Sequence, residues 1–174
     1  VSKKITINIL DQDSIQNAIN QINATKNKIN NATKQYVDTL ANAAYKVAET
    51  NINESTLKNH VHLRIEDLST PDAACKRVVA EGEDMAMGFD SLLGIEYGAG
   101  IHYNQTPNPD ADADGYGVGT FPGQTHAFED GWAFKDEEGK WIYTHGVKAT
   151  MPMYKARMEV LKQKDRVVKG VLKK

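Results

Sequence analysis

From Ile15 to Val47, apolar or tolerated residues recur at spacings of 4, 3, 4 and 3: Ile15, Ile19, Ile22, Lys26, Ile29, Thr33, Tyr36, Leu40, Ala43 and Val47. That is the repeat of one long helix, almost 40 residues and ~60 Å at ~1.5 Å per residue, or of two helices broken near Asn30-Asn31. Asp13 is the expected N-cap, with Gln16 three residues on as in a capping box. The helix is poor in strong formers. Asn17, Asn20, Asn23, Asn27, Asn30 and Asn31 each fall below alanine in propensity, so the stripe must be buried against something else. Lys26 and Thr33 interrupt a coiled-coil seam, and packing on the chain's own sheet is the expected arrangement, with part of the helix left for a neighbour.

The rest of the chain reads as strands, loops and a last helix. Ile5, Ile7 and Ile9 alternate as in a short strand, and so do Val61, Leu63 and Ile65, with His60, His62, Arg64 and Glu66 on the other face. A turn at Ser69-Thr70-Pro71-Asp72, a strand from Cys75 to Ala80, a turn at Glu81-Gly82-Glu83-Asp84 and a strand through Met85, Met87 and Phe89 would make an antiparallel meander. Nine glycines fall within residues 98–146, and residues 104–130 show little periodicity. Trp132/Phe134 and Trp141/Tyr143 form two short strands across an acidic turn at 136–139. Tyr154, Met158, Leu161, Val168 and Leu172 space a basic helix after Pro152, which suits a first turn. The expected fold is therefore one α+β domain over 1–174. A long N-terminal helix and a basic C-terminal helix pack on a mainly antiparallel sheet, with a Gly- and aromatic-rich insertion at about 104–145.

Charge is distributed in blocks. Residues 1–65 carry +3, residues 66–138 carry −13 and residues 139–174 carry +8, so the net −2 is a cancellation. Complementary blocks of this kind suit an acidic face of one subunit meeting a basic face of another. No run approaches the ~18 apolar residues of a membrane span, and the first residues turn polar too soon for a signal peptide. Cys75 stands alone, which excludes a disulfide framework and fits synthesis in a reducing cytosol.

Catalytic and metal signatures are thin. Asp110, Asp112 and Asp114 with Gly115 match the first half of a calcium loop, but its twelfth position, which should be Glu, is Phe121. His60 and His62 share a face with Arg64, a poor neighbour for a cation. His102, His126 and His145 lack helical metal-ligand spacing. Cys75 is expected within a strand and at least half-buried, away from nucleophilic chemistry. Residues 115–119 (Gly-Tyr-Gly-Val-Gly) look like a phosphate loop but neither follow a strand nor open a helix. No catalytic residue, cofactor or metal site is expected.

Gly94-Ile95-Glu96-Tyr97-Gly98-Ala99-Gly100 resembles the Y-x-E-F/Y-G-T-G signature of the Hong Kong 97-type tail-component family of long-tailed bacteriophages. The run from Tyr116 to Phe128 is similar to one in related neck proteins. Gly146-Val147-Lys148-Ala149-Thr150-Met151-Pro152-Met153-Tyr154 resembles the family's closing element, which leads into its last helix. Ala99 stands where Thr is common, and the insertion is long. The resemblance implies a virion structural protein of the neck, made in the bacterial host cytoplasm. It would be a tail-completion or head–tail connector ring, commonly of six subunits, that is not an enzyme. Its implied partners are copies of itself and head-closure, tail-terminator and tail-tube proteins, with transient contact to DNA in the channel and no membrane. Glu96, Tyr97, Tyr116, Phe121, Phe128, Trp132 and Trp141 are the subunit-interface candidates, aromatic anchors being favoured there. The alternatives are a nucleic-acid-binding module using the basic helix, a tail-terminator or minor tail protein, and an enzyme using a metal on the Asp110 loop.

Overall fold

The computed structural model describes residues 4–85, 89–103, 106, 108–115, 130–136 and 138–172. The long repeat forms one unbroken helix, α1 (Gln12–Asn53). Its cap is Asp11 rather than Asp13: the Asp11 carboxylate accepts the Asp13 N–H at 3.0 Å. A turn sets this entry, because Asn8 C=O accepts from Asp11 N–H and Asn8 N–H donates to Ser14 Oγ. The same turn removes the strand expected at 5–9. Those residues are coil, and Ile7 and Ile9 are exposed.

One turn of 3-10 helix (Lys58–His60) leads into β1 (Val61–Asp67), which pairs antiparallel with β2 (Lys76–Gly82) in the register Val61↔Gly82 to Asp67↔Lys76. The polar face of this hairpin carries an ionic ladder. Arg64 reaches Glu66 and Glu81, and Arg77 reaches Glu66 at 2.6 Å. Cys75 lies just outside β2 and is exposed, so its expected burial does not hold.

The expected meander stops at two strands. Glu83 N–H is taken by Ser91 Oγ and His60 C=O, and Ser91 N–H donates to Glu83 C=O. Those bonds turn the chain off the sheet at 83 instead of reversing it at 81–84. A two-residue ladder follows, β3 (Asp84–Met85) with β4 (Phe89–Asp90); Met87 lies outside the described residues. Next comes a helix the periodicity did not reveal, α2 (Ser91–Tyr97), capped by the Asp90 carboxylate on Leu93 N–H at 2.8 Å. The acidic turn at 136–139 does join two strands, β5 (Trp132–Lys135) and β6 (Trp141–Thr144). Asp136 Oδ1 holds it by accepting from Glu138 and Lys140 N–H.

The last helix, α3 (Pro152–Leu172), runs antiparallel along the C-terminal half of α1. Lys155 Nζ donates to Asn51 Oδ1 at 2.7 Å at one end, while Val168 and Val171 meet Ala32, Thr33 and Tyr36 at the other. Ala44, Ala48 and Ala156 fill the seam, joined by Met153 and Val160 and by Leu63 and Val78 from the sheet below. Alanines let the backbones approach closely, which sets the phase of α3. Met158 and Leu161, expected on the inner stripe, are therefore exposed. Leu63 also belongs to a second cluster around Ile52, Val61 and Ile95, with Leu57, Ala80 and Leu92. The fold is thus α+β, with two helices over small antiparallel sheets.

Ile95 is fully buried where α2, β1 and the end of α1 converge. Ile95→Ala is expected to cost about 2–5 kcal/mol, the range for a large-to-small core change, measured as the loss of unfolding free energy in urea.

Candidate functional site

The two segments that carry the family resemblance, 94–100 and 146–154, meet in space around Glu96. This carboxylate, 7% exposed, sits under the start of α3. Oε2 accepts Met153 N–H at 2.8 Å, Oε1 accepts Tyr154 N–H at 2.9 Å, and Asn108 Nδ2 donates to Oε1 at 3.0 Å. A helix start leaves its first N–H groups without partners inside the helix. Here each is accounted for. Pro152 has none, Met153 and Tyr154 go to Glu96, and Lys155 N–H reaches Met151 C=O. Met151 has no capping oxygen in its side chain, so the cap comes from a glutamate 57 residues back in the chain. A negative group is also favoured at this end of the helix dipole.

The backbone reinforces the junction. Thr150 and Met151 N–H both donate to Ile95 C=O, and Met151 adopts φ 57° to make this convergence. Ala99 and Val147 exchange both backbone hydrogen bonds, at 2.9 and 2.7 Å. Gly146, at φ 97°, lies so close to this bridge that a Cβ would sit 1.8 Å from Ala99 C=O. Only glycine fits there. Burial pushes the Glu96 carboxyl above its ordinary value. The Met153 and Tyr154 N–H groups and Asn108 pull it back down, and Asp110 adds a further upward push.

The interface and metal candidates are distributed as follows. Glu96 is engaged within its own chain, so it is an internal clamp and not a contact surface. Tyr97 is half-buried and donates its hydroxyl to Asp114 Oδ2 at 2.5 Å. Asp110 pairs with Arg157 at 2.6 Å, while Asp112 is exposed. The three aspartates therefore do not converge on a common point, and the described residues contain no His/Cys/Asp/Glu group able to hold a metal ion. His60 and His62 both contact the Glu83 carboxylate, at 2.8 and 3.3 Å. Trp132 is half-buried with its ring against Gly100. Trp141 is 65% exposed, with Lys135 Nζ 5.1 Å from its ring centroid, and Tyr143 stands exposed on the same strand face. Tyr116, Phe121 and Phe128 lie outside the described residues, as does most of the 104–130 loop.

Sequence reasoning missed Asn108, Arg157 and the capping role of Glu96. Met151-Pro152 was the available signal: a helix start with Pro at its first position and no capping side chain implies an acceptor brought from elsewhere.

The second surface is the N-terminal half of α1. Beyond Ala32, where α3 runs out, Ile15, Ile19, Ile22 and Ile29 are 39–55% exposed. Ala18 is buried on the adjacent strip, where Ser14 holds Asn8. This half of the helix is an arm of about 18 residues and ~27 Å.

Compared with protein-family models, curated proteins and solved structures, the chain finds no match in any of the three. Among the described residues no helix is long and apolar enough to cross a membrane.

Glu96→Ala would leave the Met153 and Tyr154 N–H groups without their acceptor and leave the Asn108 amide only its longer bond to the Glu96 carbonyl, and is expected to cost about 1–3 kcal/mol or more. The pH dependence has a definite sign. A carboxyl whose folded pKa is raised contributes stability that is present at low pH and lost as pH rises through that folded pKa. The advantage of wild type over Glu96→Gln should therefore be larger near the ordinary glutamate pKa than at neutral pH. Urea denaturation of both proteins at the two pH values measures it.

Proposed function

We propose that this chain is a structural subunit of the neck of a long-tailed bacteriophage, or of a phage-derived tail particle. It is a tail-completion component that assembles as a ring, of about six copies by the family resemblance, and helps join tail to head. The observation that carries the reading is the meeting of segments 94–100 and 146–154 in one hydrogen-bonded junction around Glu96. These are the same two segments whose residues resemble the tail-component family, and their contact gives both a common structural task.

Three further features support a subunit designed to meet other chains. The acidic block 66–138 and the basic block 139–174 offer complementary charge to successive subunits around a ring. Most of the basic side chains of α3, including Lys162, Lys164, Arg166 and Lys169, are exposed. The β5–β6 hairpin presents Trp141 and Tyr143 outward, the residue types that anchor interfaces. In this reading the other partners are the head-closure, tail-terminator and tail-tube proteins, and the basic face of α3 is the surface for transient contact with DNA.

Mass spectrometry of purified tailed particles is expected to find the chain as a stoichiometric component. Deleting it is expected to leave free heads beside unjoined tails in electron micrographs. Particles that join and carry no trace of the chain overturn the reading.

A further inference from the structure

The β1–β2 ladder leaves one side of β2 without a neighbour. Glu83 N–H donates to His60 C=O and Leu68 N–H donates to Cys75 C=O, at the two ends of the ladder. By the alternation of an antiparallel pair, Arg77, Val79 and Glu81 therefore turn their backbone groups toward β1, and Val78 and Ala80 turn theirs away from it. Among the described residues no strand or side chain bonds those outward groups. An edge of this kind is a template for another strand.

We infer that β2 pairs antiparallel with β2 of a second copy of this chain, about a two-fold axis at Val79. The side chains identify the partner. Val79 is the middle residue of Lys76–Gly82, so full overlap of two such strands sets Arg77 opposite Glu81 of the second copy and Glu81 opposite its Arg77. Opposite charges facing each other across strands are favourable, and like charges are not. The strand is thus complementary to itself. Its neighbour is not: full overlap of two β1 strands, Val61–Asp67, would centre on Arg64 and set two guanidinium groups face to face.

The backbone parity agrees with this register. Val78 meets Ala80 of the second copy, both with outward groups, so each such pair exchanges both backbone hydrogen bonds. Val79 meets its own counterpart on the polar face, where it lies half-buried between Arg77 and Glu81. The ionic ladder then runs on across the axis. Glu66 holds Arg77 within the chain, and Arg77 gains a second carboxylate from the other copy. Val78 and Ala80 stay in the cores of their own subunits.

A two-fold contact joins the same surface on both copies, whereas ring contacts join two different surfaces. The inference therefore goes beyond the ring reading and does not rest on it. One short strand a side is far below the ~20–30 residues a side of a standard stable interface, so the pairing is reversible and concentration-dependent.

Cross-linking of the full chain tests the register. A non-hydrogen-bonded antiparallel pair holds its Cα atoms ~4.5 Å apart, inside the ~4.4–6.8 Å range of a disulfide. Val79→Cys in a Cys75→Ser background is therefore expected to form a covalent dimer under oxidised glutathione. Wild type carries its exposed Cys75 four positions from the axis on each copy, ~27 Å from its counterpart at ~3.4 Å per residue, and should stay uncross-linked. Sedimentation equilibrium of wild type should rise with concentration from the mass of one chain toward two or more. Val79→Glu should lose the two-fold pairing. Within the chain the new carboxylate faces Arg64, but across the axis it faces its own copy. If Val79→Glu assembles like wild type, if the Val79→Cys protein cross-links no more than wild type, or if wild type stays a single chain throughout, the inference fails. A Val79→Glu protein that loses its cooperative urea transition leaves the cross-link to decide.

Discussion

A carboxylate with almost no access to water decides where the last helix begins. Glu96 accepts two successive N–H groups at the start of α3 and an amide from Asn108. Three segments distant in sequence are fixed by that one group. Its environment is costly, since burial raises the carboxyl above its ordinary value despite these donors. What the arrangement secures is geometry more than net free energy. The two oxygens fix the direction in which α3 leaves the junction, and that direction lays Ala156 against Ala44 and Ala48. The seam of α1 with α3 follows from the junction, and the sheet below is covered by the seam.

The two halves of α1 show the same sequence texture in different surroundings. Toward its C-terminus, alanine and leucine face α3 and the β1–β2 hairpin. Toward its N-terminus, isoleucines on the same stripe face solvent. Polar side chains along the helix are kept from competing with its backbone. Thr25, Thr33, Thr39 and Thr50 return their hydroxyls to the carbonyl four residues back, and Asn42 and Asn51 do so with their amides. Such bonds satisfy the side chain without strengthening the helix much, so its continuity depends on packing.

Much of this architecture was legible because it is local and periodic. The 4-3 repeat gave the length of α1, alternation gave β1 and both strands of the β5–β6 hairpin, and Asp-Glu-Glu-Gly gave the turn between them. The failures share a cause. Ile5, Ile7 and Ile9 alternate like a strand, but a strand also needs a neighbour, and the Asn8 turn consumes its backbone groups. The meander ended early because Ser91, a residue beyond it, captures Glu83. Helix α2 is seven residues, too short to show a period. The phase of α3 was misjudged because the larger Met158 and Leu161 outweighed Ala156 in any hydrophobic count, whereas close packing selects the small residue. Glu96 was singled out for a contact surface. Its internal role depends on a helix start 57 positions away, a distance over which no sequence spacing gives notice.

The continuity of α1 has a mechanical consequence. A single uninterrupted helix of 42 residues, ~63 Å at ~1.5 Å per residue, has no hinge between the half that is anchored and the half that projects. Any tilt imposed at the tip is delivered undiminished to the alanine seam at the base, where close-packed backbones have little room to yield. The helix acts as a lever with its fulcrum in the body of the subunit, and the seam is the place where load applied outside the molecule would be felt within it.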